Sequence, residues 1–189
     1  VLSWVYGLAI LIRNQLYALG LAHAVKLPCL VVSVGNITTG GTGKTPLVEY
    51  LARLLQGDGR KVCILSRGYR SGLRSKTAIG IVSDESGVRL TAKVAGDEAY
   101  LLAKALPGVP VVIGKARSLA GKAACENLGC EVAVLDDGYQ HRRLYREIDV
   151  VAVDAINPFG NGCLLPRGFL RERRQDLRRA DVIVLTRTD

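Results

Sequence analysis

Two periodicities divide the chain. In residues 1–27 apolar side chains recur at helical spacing, at Val1, Val5, Leu8, Ile12, Leu16 and Leu19. Leu2, Trp4 and Leu11 widen that stripe. From Pro28 to the end, short β-branched runs alternate with helical stretches. The pattern predicts strands at 30–34, 62–66, 79–82, 109–113, 132–135, 148–153 and 182–185. Helices are predicted at about 44–56, 96–106 and 115–128. Strands that alternate with helices imply a doubly wound, mostly parallel α/β sheet with helices on both faces. The organisation is therefore an N-terminal amphipathic helix, 1–27, followed by one α/β core, 28–189.

Residues 1–27 admit two readings. The stripe could pack on the core, or the helix could lie in a membrane surface with Trp4, Tyr6 and Arg13 near the head groups. Arg13-Asn14-Gln15 interrupts the apolar run before it reaches the roughly 18 residues needed to span a bilayer. The chain opens on Val1, contains no Met, and stops soon after the run 182–185. A missing natural N-terminus and a further C-terminal lobe are expected.

The strand at 30–34 runs into Gly35-Asn36-Ile37-Thr38-Thr39-Gly40-Gly41-Thr42-Gly43-Lys44-Thr45, and a helix follows. Strand, glycine-rich loop, Gly-Lys-Thr and helix in that order form a P-loop NTPase motif. Its backbone N–H groups turn inward on a phosphate chain, assisted by the positive end of the helix. The usual first glycine is replaced by Thr38, and Thr39 stands where partition-type ATPases carry an extra lysine. The expected ligand is ATP, contacted by residues 38–45. Lys44 reaches the β- and γ-phosphates and also serves catalysis, and the Thr45 hydroxyl ligates Mg²⁺.

Acids follow the predicted strands. Asp136-Asp137 ends the run 132–135, where a carboxylate can hold Mg²⁺ directly or through water. Asp97-Glu98 opens the helix at 96. Acids there stabilise a helix N-terminus on their own. The functional alternative makes Asp97 the base for a substrate hydroxyl and Glu98 a further metal group. Arg67, Lys115, Arg117 and Asp154 also come just after strands, and ligands of open α/β sheets bind at that edge.

Net charge is +9, which suggests a polyanionic partner. Aromatic residues are 5%, too few for a base-stacking surface, and no nucleic-acid recognition motif is present. Much of the charge lies in Arg67–Arg70, Lys115–Arg117, Arg142-Arg143 and 171–179. Arg173-Arg174 and Arg178-Arg179 read as a solvated face. His141 alone would be structural. Cys29, Cys63, Cys125, Cys130 and Cys163 form no C-x-x-C pair and are expected to be reduced. A nucleotide-switch protein of GTPase or metallochaperone type remains an alternative. Thr186-Arg187-Thr188-Asp189 lacks the Asn and Lys of a guanine-reading motif.

Together these segments resemble the tetraacyldisaccharide 4′-kinases of lipid A biosynthesis. The resemblance is carried by 34–46, Ser66-Arg67-Gly68-Tyr69, Gly96-Asp97-Glu98, Gly114-Lys115, Asp136-Asp137-Gly138-Tyr139-Gln140-His141-Arg142-Arg143, Asp154-Ala155, Pro158-Phe159-Gly160-Asn161-Gly162, Leu164-Leu165-Pro166 and Leu170-Arg171-Glu172. It implies transfer of the ATP γ-phosphate to the 4′-hydroxyl of a lipid-anchored glucosamine disaccharide 1-phosphate. It also implies a peripheral enzyme on the anionic cytoplasmic face of an inner membrane, docked by residues 1–27. Asp97 matches the family's catalytic base. Glu98, Asp136 and Asp137 match residues of metal and nucleotide chemistry. A His from the C-terminal lobe would partner the base. Arg67, Lys115, Arg117, His141 and Arg171 are the candidate substrate-binding residues. Arg167 and Phe169 stand where the family pattern has Ala and Pro, and Arg173 where Pro is usual.

Overall fold

The computed structural model describes residues 1–69, 71–73, 75 and 77–188. Arg70 and Asp189 lie outside them. Eight strands form one sheet in the order β4-β3-β5-β2-β6-β1-β7-β8. β1 (Leu30–Gly35), β2 (Val62–Ser66), β5 (Val111–Gly114), β6 (Val132–Asp136), β7 (Ile148–Asp154) and β8 (Val182–Thr186) run parallel. β3 (Ile79–Asp84) is antiparallel to β5, and the two-residue β4 (Gly87–Val88) closes that edge. The run at 79–82 is thus an antiparallel addition to the parallel sheet.

The central strands are mostly apolar because helices cover both faces. α2 (Lys44–Gly57) and α4 (Asp97–Ala105), with the short α3 (Ala92–Ala95), pack over Val34, Ile64, Ile113 and Val134. α5 (Arg117–Leu128) covers Val31, Leu65, Ala133 and Leu135 on the other face. α2 starts at Gly43 with φ 72°, a left-handed turn that a side chain would strain. Pro46 sits in its first turn, where no helical N–H is lost. α5 stops at left-handed Gly129. The five cysteines are free thiols, and Cys29, Cys63 and Cys130 are buried.

α1 (Leu2–Ala18) inverts the expectation for a packed helix. Its apolar stripe points outward: Trp4 is 82% exposed, and Val5, Leu8, Ile12 and Leu16 are exposed too. The inner side holds Ile10 and Asn14 with Tyr6 and Arg13, so these last two are not at the outer surface. The helix ends at Ala18, and Leu27 belongs to the core under α5. No helix among the described residues is long and apolar enough to cross a membrane.

A strap from 155 to 181 carries α1. It includes a 3₁₀ turn, Arg174–Arg179, and packs Phe159, Leu164 and Leu170 against Tyr139, Val151 and Val153. Arg173 caps that turn. Its backbone N–H donates to Asp176 Oδ2 at 2.9 Å, a bond that Pro could not make. The 171–179 run is not wholly a solvated face. Arg179 lies 4.2 Å over the Tyr139 ring and 3.5 Å from Glu172, which is fully buried.

Candidate active site

All six parallel strands end at the same edge of the sheet, and the site is read along it. From β5 to β8 the edge carries Lys115 and Arg117, then Arg67, then Asp136-Asp137, then the phosphate loop, then Asp154, then Thr186-Arg187. The loop lies after the strand between β6 and β7, so acids and cations flank it on both sides.

The loop is anchored from outside. Thr39 N–H donates to the Phe169 carbonyl at 2.7 Å, Thr38 bridges Leu170, and Arg171 N–H donates to the Ile37 carbonyl at 2.7 Å. Thr38 and Thr39 therefore brace the loop on the strap. Asn36 Nδ2 donates to Thr42 Oγ1 at 2.8 Å, and Gln140 Nε2 donates to the Asn36 carbonyl at 2.8 Å. Gly35 leaves no room for a side chain: a Cβ there would lie 2.7 Å from the Tyr139 nitrogen. Lys44 is partly buried, and its charge acts on both Asp136 and Asp137.

The two acids after β6 differ. Asp136 is buried and accepts from Ser66 Oγ at 3.0 Å. Burial, then the charges of Asp137 and Glu98, push its carboxyl up to about 6 against the pull of Ser66 and Lys44. Asp137 has φ 50° and accepts a two-point ion pair from Arg171, at 2.7 and 3.0 Å. Burial works to raise it, but Arg171, Lys44 and Arg117 hold it below the ordinary carboxylate range. Asp97 and Glu98 are exposed on the first turn of α4.

A cavity of about 490 Å³ opens beside Asp137. Arg67, Lys115, Arg117, His141 and Arg171, the five candidate substrate residues, all line it, together with Gln140 and Arg143. Arg117 is 5% exposed. Its Nε and the Gln140 Oε1 have no hydrogen-bond partner among the described residues. Burial, then Arg67, lowers Arg117 to about 10, so it stays cationic at neutral pH. Burial and then Arg117, Arg146, Arg143 and Arg67 push His141 down to about 4. A buried cation with an unspent donor, inside a ring of cations, fits an anionic ligand.

The depressed His141 value has a consequence for stability. The unfolded chain takes up the proton near pH 6.5, before the folded one does, so the contribution is full above that pH and lost as pH falls toward 4. Allowing for partial exposure, the loss is on the order of 2 kcal/mol. His141→Asn is expected to flatten this part of the stability profile in melts between pH 7 and 4. An unchanged slope would contradict the half-buried, neutral imidazole.

Sequence reasoning did not find Ser66 as a partner of Asp136, nor Asn36 and Gln140 as the latch under the loop. Each lies inside a segment that carries the family resemblance, which was their only signal. Asp154 is not part of the cation-lined cavity. It pairs with Arg187 in a smaller cavity of about 200 Å³ on the other side of the loop.

A family model described as tetraacyldisaccharide-1-P 4′-kinase matches residues 1–189. The tetraacyldisaccharide 4′-kinase of Syntrophus aciditrophicus is 48% identical over 187 residues, covering 98% of this chain and 50% of the relative. That of Geobacter sulfurreducens is 48% identical over 182 residues, covering 96% and 51%. A crystal structure titled as "apo" form LpxK from Aquifex aeolicus in complex with ATP matches with a TM-score of 0.91 at 45% identity, covering 98% of this chain and 57% of that one. The chain spans about half the length of the curated relatives it matches.

Proposed function

This chain belongs to the tetraacyldisaccharide-1-P 4′-kinase family, and from that premise we propose that its full-length protein moves the γ-phosphate of ATP to the 4′-hydroxyl of a lipid-anchored tetraacyl glucosamine disaccharide 1-phosphate. The observation that carries the proposal is one continuous edge holding a phosphate loop, an acid pair and a cation-lined cavity. ATP phosphates lie in 40–45, with Lys44 neutralising their charge. The acceptor's phosphorylated head enters the cavity of Arg67, Lys115, Arg117, His141 and Arg171. Asp97 accepts the proton of the attacking hydroxyl. Catalysis is then mainly alignment and charge stabilisation.

The acids suit a magnesium ion. Asp136 is a buried carboxyl raised by neighbouring acids, the surroundings a dication relieves. Among the described residues no three His, Cys, Asp or Glu side chains are grouped as a metal cage. Mg²⁺ takes one or two carboxylates and completes its shell with phosphates and water. Thr45 and Asp136 would hold it, with Glu98 and Asp137 nearby, and when bound it would neutralise charge on the β- and γ-phosphates. Arg171 already occupies both Asp137 oxygens, which favours Asp136 as the direct ligand.

α1 supports a place at a membrane surface, which on the family reading is the anionic cytoplasmic face of the inner membrane. A row of exposed apolar side chains backed by polar anchors is what an interfacial helix presents. Trp4→Glu with Leu8→Glu is expected to weaken binding to anionic phospholipid vesicles about tenfold or more, followed by sedimentation. Unchanged sedimentation would contradict this role of the helix.

ADP release separates the kinase from a nucleotide switch. Tetraacyldisaccharide 1-phosphate in mixed micelles should raise it in proportion to acceptor. Release indifferent to the acceptor would favour the switch.

A further inference from the structure

The phosphate loop is held by its carbonyls as well as by the strap. Thr186, the last residue of β8, donates its hydroxyl to the Thr42 carbonyl at 3.1 Å and approaches the Val153 carbonyl at 3.3 Å. The next residue, Arg187, donates Nη2 to the Gly41 carbonyl at 2.6 Å and Nη1 to Asp154 Oδ2 at 3.0 Å. Asp154 ends β7 and is itself fixed, accepting from Ile156 N–H at 3.0 Å. The guanidinium is thus tied at two points, one of them an ion pair with Asp154. Arg187 holds φ 56°, a conformation that costs a non-glycine residue energy and persists where the surroundings over-determine it. Thr186 also packs directly beneath the loop: a Cβ on Gly43 would meet its Cγ2 at 3.2 Å.

Pinning two successive carbonyls has a geometric result. In a trans peptide unit the C=O and the following N–H point in opposite directions. Turning the Gly41 and Thr42 carbonyls toward β8 therefore turns the Thr42 and Gly43 N–H groups away from it. Neither N–H is spent on another protein group among the described residues. We propose that Thr186 and Arg187 are positioning residues for nucleotide binding: they fix the peptide planes of the phosphate loop so that the Thr42 and Gly43 N–H groups face the phosphate chain before it arrives. This deepens the reading of the loop as the ATP site and rests on it. Donors set in advance need no reorganisation when the anion binds.

The test compares Thr186→Val, which keeps the branched shape and deletes the hydroxyl, with Arg187→Met and Arg187→Lys in the full-length protein. Calorimetry gives the Kd for ATP, kinetics give KM for ATP and for the lipid acceptor, and melts give Tm. The expected result for Thr186→Val and Arg187→Met is ATP affinity lower by about three- to tenfold each. KM for the acceptor and Tm should stay unchanged, and Arg187→Lys should recover part of the loss through a single donor. ATP affinity within about twofold of wild type in both deletions would overturn the proposal. So would equal losses for ATP and acceptor accompanied by a lowered Tm, which mark a merely structural contact. A wild-type protein that binds ATP but transfers nothing to the acceptor would sink the kinase reading, while the Kd comparison would still decide the brace. A wild type that does not bind ATP would sink both.

Discussion

Replacing Asp97 by Asn is expected to lower kcat for phosphoryl transfer by about 10²- to 10⁴-fold, the usual worth of a general base, with ATP affinity held within about twofold. The expectation comes from how the acids of the site are spent. Asp136 is bound by Ser66, Asp137 by Arg171 and Asp154 by Arg187. Asp97 is exposed and has no hydrogen bond or ion pair among the described residues. The backbone before it is closely packed. Gly96 before it has φ 85°, and a Cβ there would run into the Tyr69 carbonyl, so the start of α4 sits against the turn that carries Arg67. A carboxylate that served only the helix dipole would be worth about 1 kcal/mol of stability and nothing in kcat. Steady-state kinetics beside an ATP titration separate the two. Loss of ATP binding, or a kcat near that of wild type, would count against Asp97 as the base.

The second large effect concerns stability. Glu172→Ala is expected to destabilise the protein by about 3 kcal/mol or more, because it strands the buried guanidinium of Arg179, and the half-buried Arg13, without their countercharge. For a chain of this size that is a fall of about 10 °C or more in Tm. The Glu172 side chain has no exposed surface. It accepts from Arg13 at 2.5 Å and Asn14 at 3.4 Å on α1, and it lies 3.5 Å from Arg179. Arg179 in turn covers the Tyr139 ring, and Tyr139 abuts Gly35 at the start of the phosphate loop. Removing the carboxylate should therefore loosen α1 and the strap together. Thermal melts of Glu172→Ala and the milder Glu172→Gln test this. A Tm change of less than about 2 °C for Glu172→Ala would show that the cluster contributes little.

The parallel core was legible because its strands are buried on both faces. Runs such as 62–65 and 132–135 are apolar without interruption, and the helices between them start or stop at Gly43 and Gly129. Direction was less legible. The β-branched run at 79–82 reads the same whether it pairs parallel or antiparallel, and register with β5 decides. On α1 the spacing was legible, but it could not choose between the packed and the interfacial reading. Helical periodicity gives the existence of an apolar face, not what meets it. Here the protein meets the polar side, because Glu172 and Asp176 offer Arg13 and Asn14 ion pairs and hydrogen bonds.

The chemistry shows the same division. Strand-end position brought Arg67, Lys115 and Arg117 to one cavity, as the topology of a parallel sheet dictates. Pairings between segments far apart in sequence left no local trace. Arg171 on Asp137 spans 34 residues, and Arg187 on Gly41 spans 146. Arg179 looked like one more solvated charge in a basic run, and only its neighbours Glu172 and Tyr139 mark it as internal.

The measurement that most directly tests the kinase assignment locates the transferred phosphate. The full-length protein is incubated with ATP, Mg²⁺ and tetraacyldisaccharide 1-phosphate in mixed micelles, and the lipid product is read by phosphorus–proton correlation NMR. A new phosphate coupled to the 4′ proton, absent with Asp97→Asn, is the predicted result. ATP binding with no phosphorylated lipid, or a phosphate on another hydroxyl, would contradict it.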